Sequence, residues 1–275
     1  MSKLVCEICP HHCRLEVGEV GRCRARINDG KKITALNYGA ITSIALDPIE
    51  KKPLYRFFPG SRILSVGSYG CNLNCPFCQN HEISMADANF PTRHVTPEQL
   101  VALAQELVPK KNIGVAFTYN EPFISYEFVR DTSNLLKAVG LKSVLVTNGT
   151  VAPAALKKIL PLIDAMNIDL KSFRREIYSA LGGDFETVRR TIELAAQSCH
   201  VEVTSLIVPT MNDSPADMDS EAAWLASLSK DIPLHISRFF PRYKVTYLPP
   251  TPVEKIYELV AAARRHLNFV YPGNC

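Results

Sequence analysis

Six short apolar runs recur along most of the chain, and between them the apolar positions take helical spacing. The runs cover residues 63–66, 113–117, 143–146, 163–170, 201–208 and 234–239. Each is rich in Val, Ile and Leu and little broken by polar positions, the pattern of strands buried on both faces. Thr96-Pro97-Glu98-Gln99 forms a capping box with proline at the first helical position and predicts a helix to about residue 107. Further helices are predicted over 125–139 (closed by Gly140), 153–160, 185–197, 218–228 and 252–266. Strands alternating with helices imply a parallel sheet covered by helices, the α/β class. Six such units over residues 61–275 make a partial (β/α)6 TIM-like barrel, with chemistry expected at the C-terminal ends of the strands.

Residues 1–60 break this pattern. Short strands are predicted at 31–38 and 41–46, and a proline-punctuated connector at 47–60. Cys6, Cys9, Cys13 and Cys23 fall within eighteen residues, with Gly18 and Gly21 between them. So short a segment builds little apolar core, and four thiolates around a metal supply what the core lacks. Zn²⁺ and a second iron-sulfur cluster both accept four cysteines, and spacing does not separate them. Free cysteines packed as small hydrophobes are the simpler alternative. His11 and His12 are read as exposed loop residues, since four cysteines already complete a site.

Composition narrows the class without naming it. Apolar residues make up 47% and charged residues 21%, as in a soluble globular protein with a sizeable core. The net charge of +4 comes from scattered basic pairs, which argues against a nucleic-acid groove. No stretch is long enough to span a bilayer, and Met1 to Cys13 has no apolar core of a secretory signal, so no membrane partner is expected. Seven of the nine cysteines lie in the first 78 residues, which predicts metal ligands in a reducing, cytoplasmic setting rather than disulfides.

The sharpest chemistry follows the first barrel strand. Cys71, Cys75 and Cys78 are spaced C-x-x-x-C-x-x-C within Gly70–Asn80. Three thiolates hold three irons of a cubane and leave the fourth iron open to a small molecule. A structural zinc knuckle is the alternative, but it normally takes four ligands. The later strands also end in polar residues: Thr118-Tyr119-Asn120-Glu121, Thr147-Asn148-Gly149-Thr150, Asp169-Leu170-Lys171, then Glu202 and Thr204, then His235, Ser237 and Arg238. Six strands ending this way predict one active rim. A lone strand histidine such as His235 is as often a hydrogen-bonded core residue as a functional one.

GCNLNCPFCQN resembles the cluster loop of the radical S-adenosylmethionine (SAM) superfamily, in its pyruvate formate-lyase activating enzyme group. FTYNEP, LVTNGT, MNIDLKSF, VEVTSLIVPTMNDS, PLHISRFFPRYK and the N-terminal CEICPHHCRLEVGEVGRCRAR are similar to the radical SAM member of the AmmeMemoRadiSam system. The resemblance implies a [4Fe-4S] cluster on Cys71, Cys75 and Cys78, shielded by Phe77, with backbone near Gln79 approaching the adenine. It places Thr118, Tyr119, Asn120 and Glu121 at the methionine amine, Asn148 at the ribose, and Asp169 and Lys171 at the SAM carboxylate. Thr204 and His235 are further candidates, and Lys171 and His235 are the candidate catalytic side chains. Val146 stands where the activases carry an aspartate, Thr210 where a glycine is common, and the activases lack the N-terminal cysteines.

The implied activity is reductive cleavage of SAM to a 5′-deoxyadenosyl radical that abstracts hydrogen from a substrate. An external flavodoxin or ferredoxin would supply the electron, and the other proteins of the AmmeMemoRadiSam system are expected partners. The alternatives are activation of a glycyl radical enzyme and a non-catalytic iron-sulfur or zinc electron-transfer protein. Cys199 is expected to be buried and inert.

Overall fold

A computed structural model describes residues 3–275. Its centre is one eight-stranded sheet: β1 (Ser43–Pro48), β2 (Arg62–Gly67), β3 (Asn112–Phe117), β4 (Lys142–Thr147), β5 (Ala165–Asp169), β6 (His200–Ile207), β7 (Leu234–Arg238) and β8 (Val270–Gly273). The strands pair in chain order. β2 to β8 are all parallel, and β1 adds antiparallel to β2.

All six predicted barrel strands occur. The count of six is one short, because β8 continues the parallel ladder beyond β7. Its sequence, Val-Tyr-Pro-Gly, carries two residues that break strand patterns. At the other edge, β1 lies within residues 1–60 yet pairs with the first barrel strand over six positions. The strand predicted at 41–46 is therefore an edge strand of the barrel sheet.

Helices cover the outer face. Pro97–Glu106 opens with the predicted capping box intact, Thr96 accepting from Gln99 N–H and the Gln99 side chain returning to Thr96 N–H. Leu100, Val101 and Ala104 of that helix and Val129 and Leu136 of Tyr126–Ala138 join Val115 and Leu145 in the main core. Burying each Val or Leu side chain stabilises by about 1.5–3 kcal/mol. Two helices escape the pattern, His81–Ser84 and Arg175–Leu181. The first is a single turn, too short for periodicity to register.

The N-terminal segment is built from two- and three-residue ladders, Leu4–Val5 with Arg14–Leu15 and Arg26–Asn28 with Ile33–Ala35. It is fastened to the barrel by a bidentate ion pair. Arg26, 4% exposed, donates to both oxygens of Glu127 at 2.9 and 2.8 Å and to Ile124 O at 3.1 Å. Cys199 is half-buried beside the core, and burial pushes its thiol up to about 12.

Candidate active site

The three cysteines of the loop after β2 open onto a cavity of ≈ 590 Å³ at the C-terminal ends of the strands. The loop turns on Gly70, whose φ of +84° suits glycine and whose Cα lies so close to Cys23 O that a β-carbon would clash. The N-terminal segment thus props the loop from below. Arg24 donates to Cys71 O at 3.1 Å and Ser84 O at 3.0 Å. His11 is half-buried rather than exposed, because its Nε2 donates to Asn72 O at 2.9 Å.

The loop's chemistry fits an iron-sulfur ligand set. Cys71 Sγ receives Leu73 N–H at 3.4 Å and the Asn148 amide at 3.5 Å, both of which favour a thiolate. Burial opposes them and leaves the Cys71 thiol well above its ordinary range, with Glu121 pushing the same way. Burial likewise raises Cys75 to about 11, against the pull of Lys171. A bound metal would have to supply the ionisation that burial opposes. Phe77 lies 3% exposed beside Leu73, Cys75 and Val208, an apolar shield at the ligands, while Gln79 is exposed at the cavity edge.

The strand-end residues divide by what their side chains do. Asn120 staples the loop: its oxygen accepts Ser68 N–H at 2.9 Å and its amide donates to Tyr69 O and Gly70 O at 3.1 Å. Tyr119 has a left-handed φ of +72°, and its hydroxyl donates to Asp47 at 2.9 Å, where Lys52 also pairs at 2.9 Å. These bonds hold Asp47 down to about 2 against its burial. Thr118 is buried and lines the cavity.

Glu121 accepts Phe123 N–H at 3.0 Å and Thr147 Oγ1–H at 2.8 Å on one oxygen, and Asn148 N–H at 2.9 Å on the other. Three of about four lone-pair sites are taken, which leaves one for a cationic ligand group. Burial raises this carboxyl to about 7, and the three bonds pull against it. Asn148, expected at the ribose, lines the cavity beside Glu121. Its amide is committed to Asn72 Oδ1 at 2.9 Å and Cys71 Sγ, so it braces the cluster loop.

Parallel register brings Asp169, Thr204, His235 and Tyr271 into one row across β5 to β8. Lys171 meets Asp169 at 2.7 Å. Burial alone would lower the Lys171 ammonium, but Asp169 more than offsets it and holds it charged. Thr204 is hydrogen-bonded to Asn167 at 2.9 Å, and both Thr204 and His235 line the cavity.

Glu202 lies one row deeper, toward the floor of the barrel rather than at the rim. Its side chain is fully buried and accepts four hydrogen bonds: His200 Nε2 at 3.0 Å, Arg56 N–H at 2.7 Å, His235 Nε2 at 2.6 Å and Tyr55 N–H at 3.0 Å. Burial raises this carboxyl, yet the His200, His235 and Arg56 bonds dominate and bring it to about 2. A carboxylate only accepts, so both imidazoles donate through Nε2 and Nδ1 of His235 is the ring's free nitrogen. The ring is held between Tyr55, edge-on at 4.7 Å, and Tyr271, stacked at 5.4 Å.

The profile of the Radical SAM superfamily matches residues 65–222. The chain belongs to the Radical SAM superfamily. Membership brings with it a [4Fe-4S] cluster and SAM, an enzymatic role, and the need for an electron donor such as flavodoxin.

An uncharacterised protein of Methanocaldococcus jannaschii is 40% identical over 99% of this chain and 82% of its own length. Pyruvate formate-lyase 1-activating enzyme of Escherichia coli is 27% identical over 63% of this chain and 70% of its own. Among solved structures, a radical SAM methyltransferase from Sphaerobacter thermophilus superposes with a TM-score of 0.58 at 17% identity. It covers 78% of this chain and 67% of that one. The solved structural neighbours are radical SAM enzymes and share the α/β fold with its parallel sheet. No helix among the described residues is long and apolar enough to cross a membrane.

Proposed function

We propose that the protein reductively cleaves SAM at a [4Fe-4S] cluster on Cys71, Cys75 and Cys78 and abstracts hydrogen from a small polar substrate. The observation that carries this reading is that the three thiols, Glu121, the Asp169–Lys171 pair and His235 all line one cavity. When bound, the cluster and SAM supply the electron transfer and a 5′-deoxyadenosyl radical. The chain's own groups bind and orient. Glu121 would accept from the SAM ammonium on its remaining lone pair, and Lys171, kept charged by Asp169, would pair with the SAM carboxylate. Phe77 and the buried walls keep water from the reacting centre.

The β6–β8 side of the cavity is the substrate side. There His235 presents Nδ1, with Glu202 fixing its tautomer, to take a hydrogen bond or a proton from a substrate O–H or N–H. Anaerobic reconstitution with iron, sulfide, dithionite and SAM tests the reading. The expected product is 5′-deoxyadenosine, and its absence, with a cluster spectrum unmoved by SAM, refutes the assignment.

The likeness to pyruvate formate-lyase activating enzymes supports a second reading, activation of a glycyl radical enzyme. A glycyl radical signal on a partner protein would establish it. The four N-terminal cysteines are proposed to bind a second metal, zinc or iron-sulfur. Cys6, Cys9 and Cys23 are buried, and burial raises Cys9 to about 11. Binding requires the side chains to draw in, since among the described residues no three His, Cys, Asp or Glu side chains are grouped for a single ion. The N-terminal motif supports membership of the AmmeMemoRadiSam system and work in the cytoplasm with its other proteins.

A further inference from the structure

Resting on that reading, we propose that loop 239–251 is the docking surface for an acidic flavodoxin-type protein that delivers the electron. The loop follows β7 and has an underside fixed to the cluster loop. Lys244 N–H donates to Pro76 O at 2.9 Å, between Cys75 and Cys78. Val245 is buried beside Cys75 and Phe77, and Tyr243 stacks on His81 at 4.6 Å.

The upper side is basic and aromatic. From residue 232 to 253 there is no Asp or Glu, while Arg238, Arg242 and Lys244 are present. None of the three enters an ion pair among the described residues. Arg238 lies 5.0 Å from the Phe240 ring and Lys244 5.2 Å from the Tyr243 ring, so the cations sit against aromatic faces without being neutralised. Tyr247 is 78% exposed and Phe240 42%.

Electron transfer falls steeply with distance, so a carrier has to approach where the ligands are nearest the surface. This loop is bonded directly to the backbone between two of the three cysteines. Its charge favours an acidic partner and speeds encounter. The exposed aromatic rings suit the planar edge of a flavin. Two cations on the loop, with Arg238 at the end of β7 beside them, are too few for a nucleic-acid stripe. In the step itself the flavodoxin loses one electron and the cluster site gains one, with no bond made or broken.

The test uses the full-length reconstituted protein and an Arg242→Glu/Lys244→Glu variant. Affinity for oxidised flavodoxin is measured calorimetrically at low and raised ionic strength, and 5′-deoxyadenosine formation is measured with reduced flavodoxin and with dithionite. The variant is expected to bind about tenfold more weakly or worse, with a flattened salt dependence. Its flavodoxin-driven rate falls in parallel and its dithionite-driven rate is unchanged. Lys110→Glu, beyond the N-terminal end of β3, leaves both unchanged.

Unaltered affinity and flavodoxin-driven rate overturn the proposal, as does an equal loss with dithionite. Binding of an acidic ferredoxin through these residues, but not flavodoxin, overturns the flavin assignment. A wild-type protein that forms no 5′-deoxyadenosine with dithionite would instead refute the SAM chemistry and leave the binding result readable.

Discussion

Replacing Glu202 by glutamine turns one acceptor oxygen into a donor and keeps the shape of the side chain. The native carboxylate takes two imidazole and two backbone donors. A glutamine oxygen serves one pair, and its NH₂ group faces the other. The imidazole in that pair can adapt by changing tautomer, but the backbone N–H of Tyr55 or Arg56 cannot, and an unpaired buried donor costs about 1–3 kcal/mol.

Linkage gives an independent figure. The Glu202 carboxyl falls from an ordinary 4.5 to about 2 on folding. At about 1.36 kcal/mol per unit this is ~3 kcal/mol of stability at neutral pH. Because the folded value is the depressed one, this stability is present above the unfolded pKa of 4.5 and is lost as pH falls toward 2. Urea unfolding of Glu202→Gln at pH 7 should therefore show a loss of about 2–4 kcal/mol. Stability from pH 5 to 3 should fall less steeply than in the native protein. A loss below about 0.5 kcal/mol at pH 7, or the same acid slope in both proteins, would refute the assignment of Glu202 as the ionised anchor of the floor.

The other buried carboxyls carry different expectations. Burial pushes Glu221 up to about 8, with its bond to Ser205 Oγ at 2.5 Å pulling down, so its native state is stabilised below 4.5 and loses that advantage as pH rises through 8. Glu221→Gln should raise the melting temperature at pH 8 and leave it nearly unchanged at pH 4, as scanning calorimetry at the two pH values will show. Gly114→Ala would bring a β-carbon to 1.9 Å from Lys142 O in the neighbouring strand. A loss of about 3 kcal/mol or failure to fold is expected, and full stability in urea titration would contradict the register of β3 and β4. Cys71→Ala should abolish SAM cleavage and leave any metal at Cys6, Cys9, Cys13 and Cys23 in place. Metal analysis showing both sites empty would mean that the sites are not independent.

The features legible in the sequence were local ones. Predominantly apolar runs marked β2 to β7, and the spacing of Cys71, Cys75 and Cys78 marked the loop because a cubane dictates short intervals between its ligands. Thr204 and His235 stood out only as polar positions in apolar strands; parallel register is what sets them beside Asp169. The tasks of Asn148 and Asn120 were illegible because an amide's partners depend on its rotamer and on loops far away in the chain. Glu202 was visible as a charge in a strand, but nothing near it announces the donors of Tyr55 and Arg56. β8 was hidden by its proline and glycine.

The bond from Arg56 N–H to Glu202 joins residues 146 positions apart. On a ribosome adding roughly 5–20 residues per second, the connector emerges about 7–30 s before its anchor exists. The cysteine-bearing segment is thus out of the ribosome long before the floor beneath the barrel can close. Any metal taken up early by Cys6, Cys9, Cys13 and Cys23 would meet an unfinished protein, and the order of synthesis favours filling the N-terminal site before Cys71, Cys75 and Cys78 have a cavity around them.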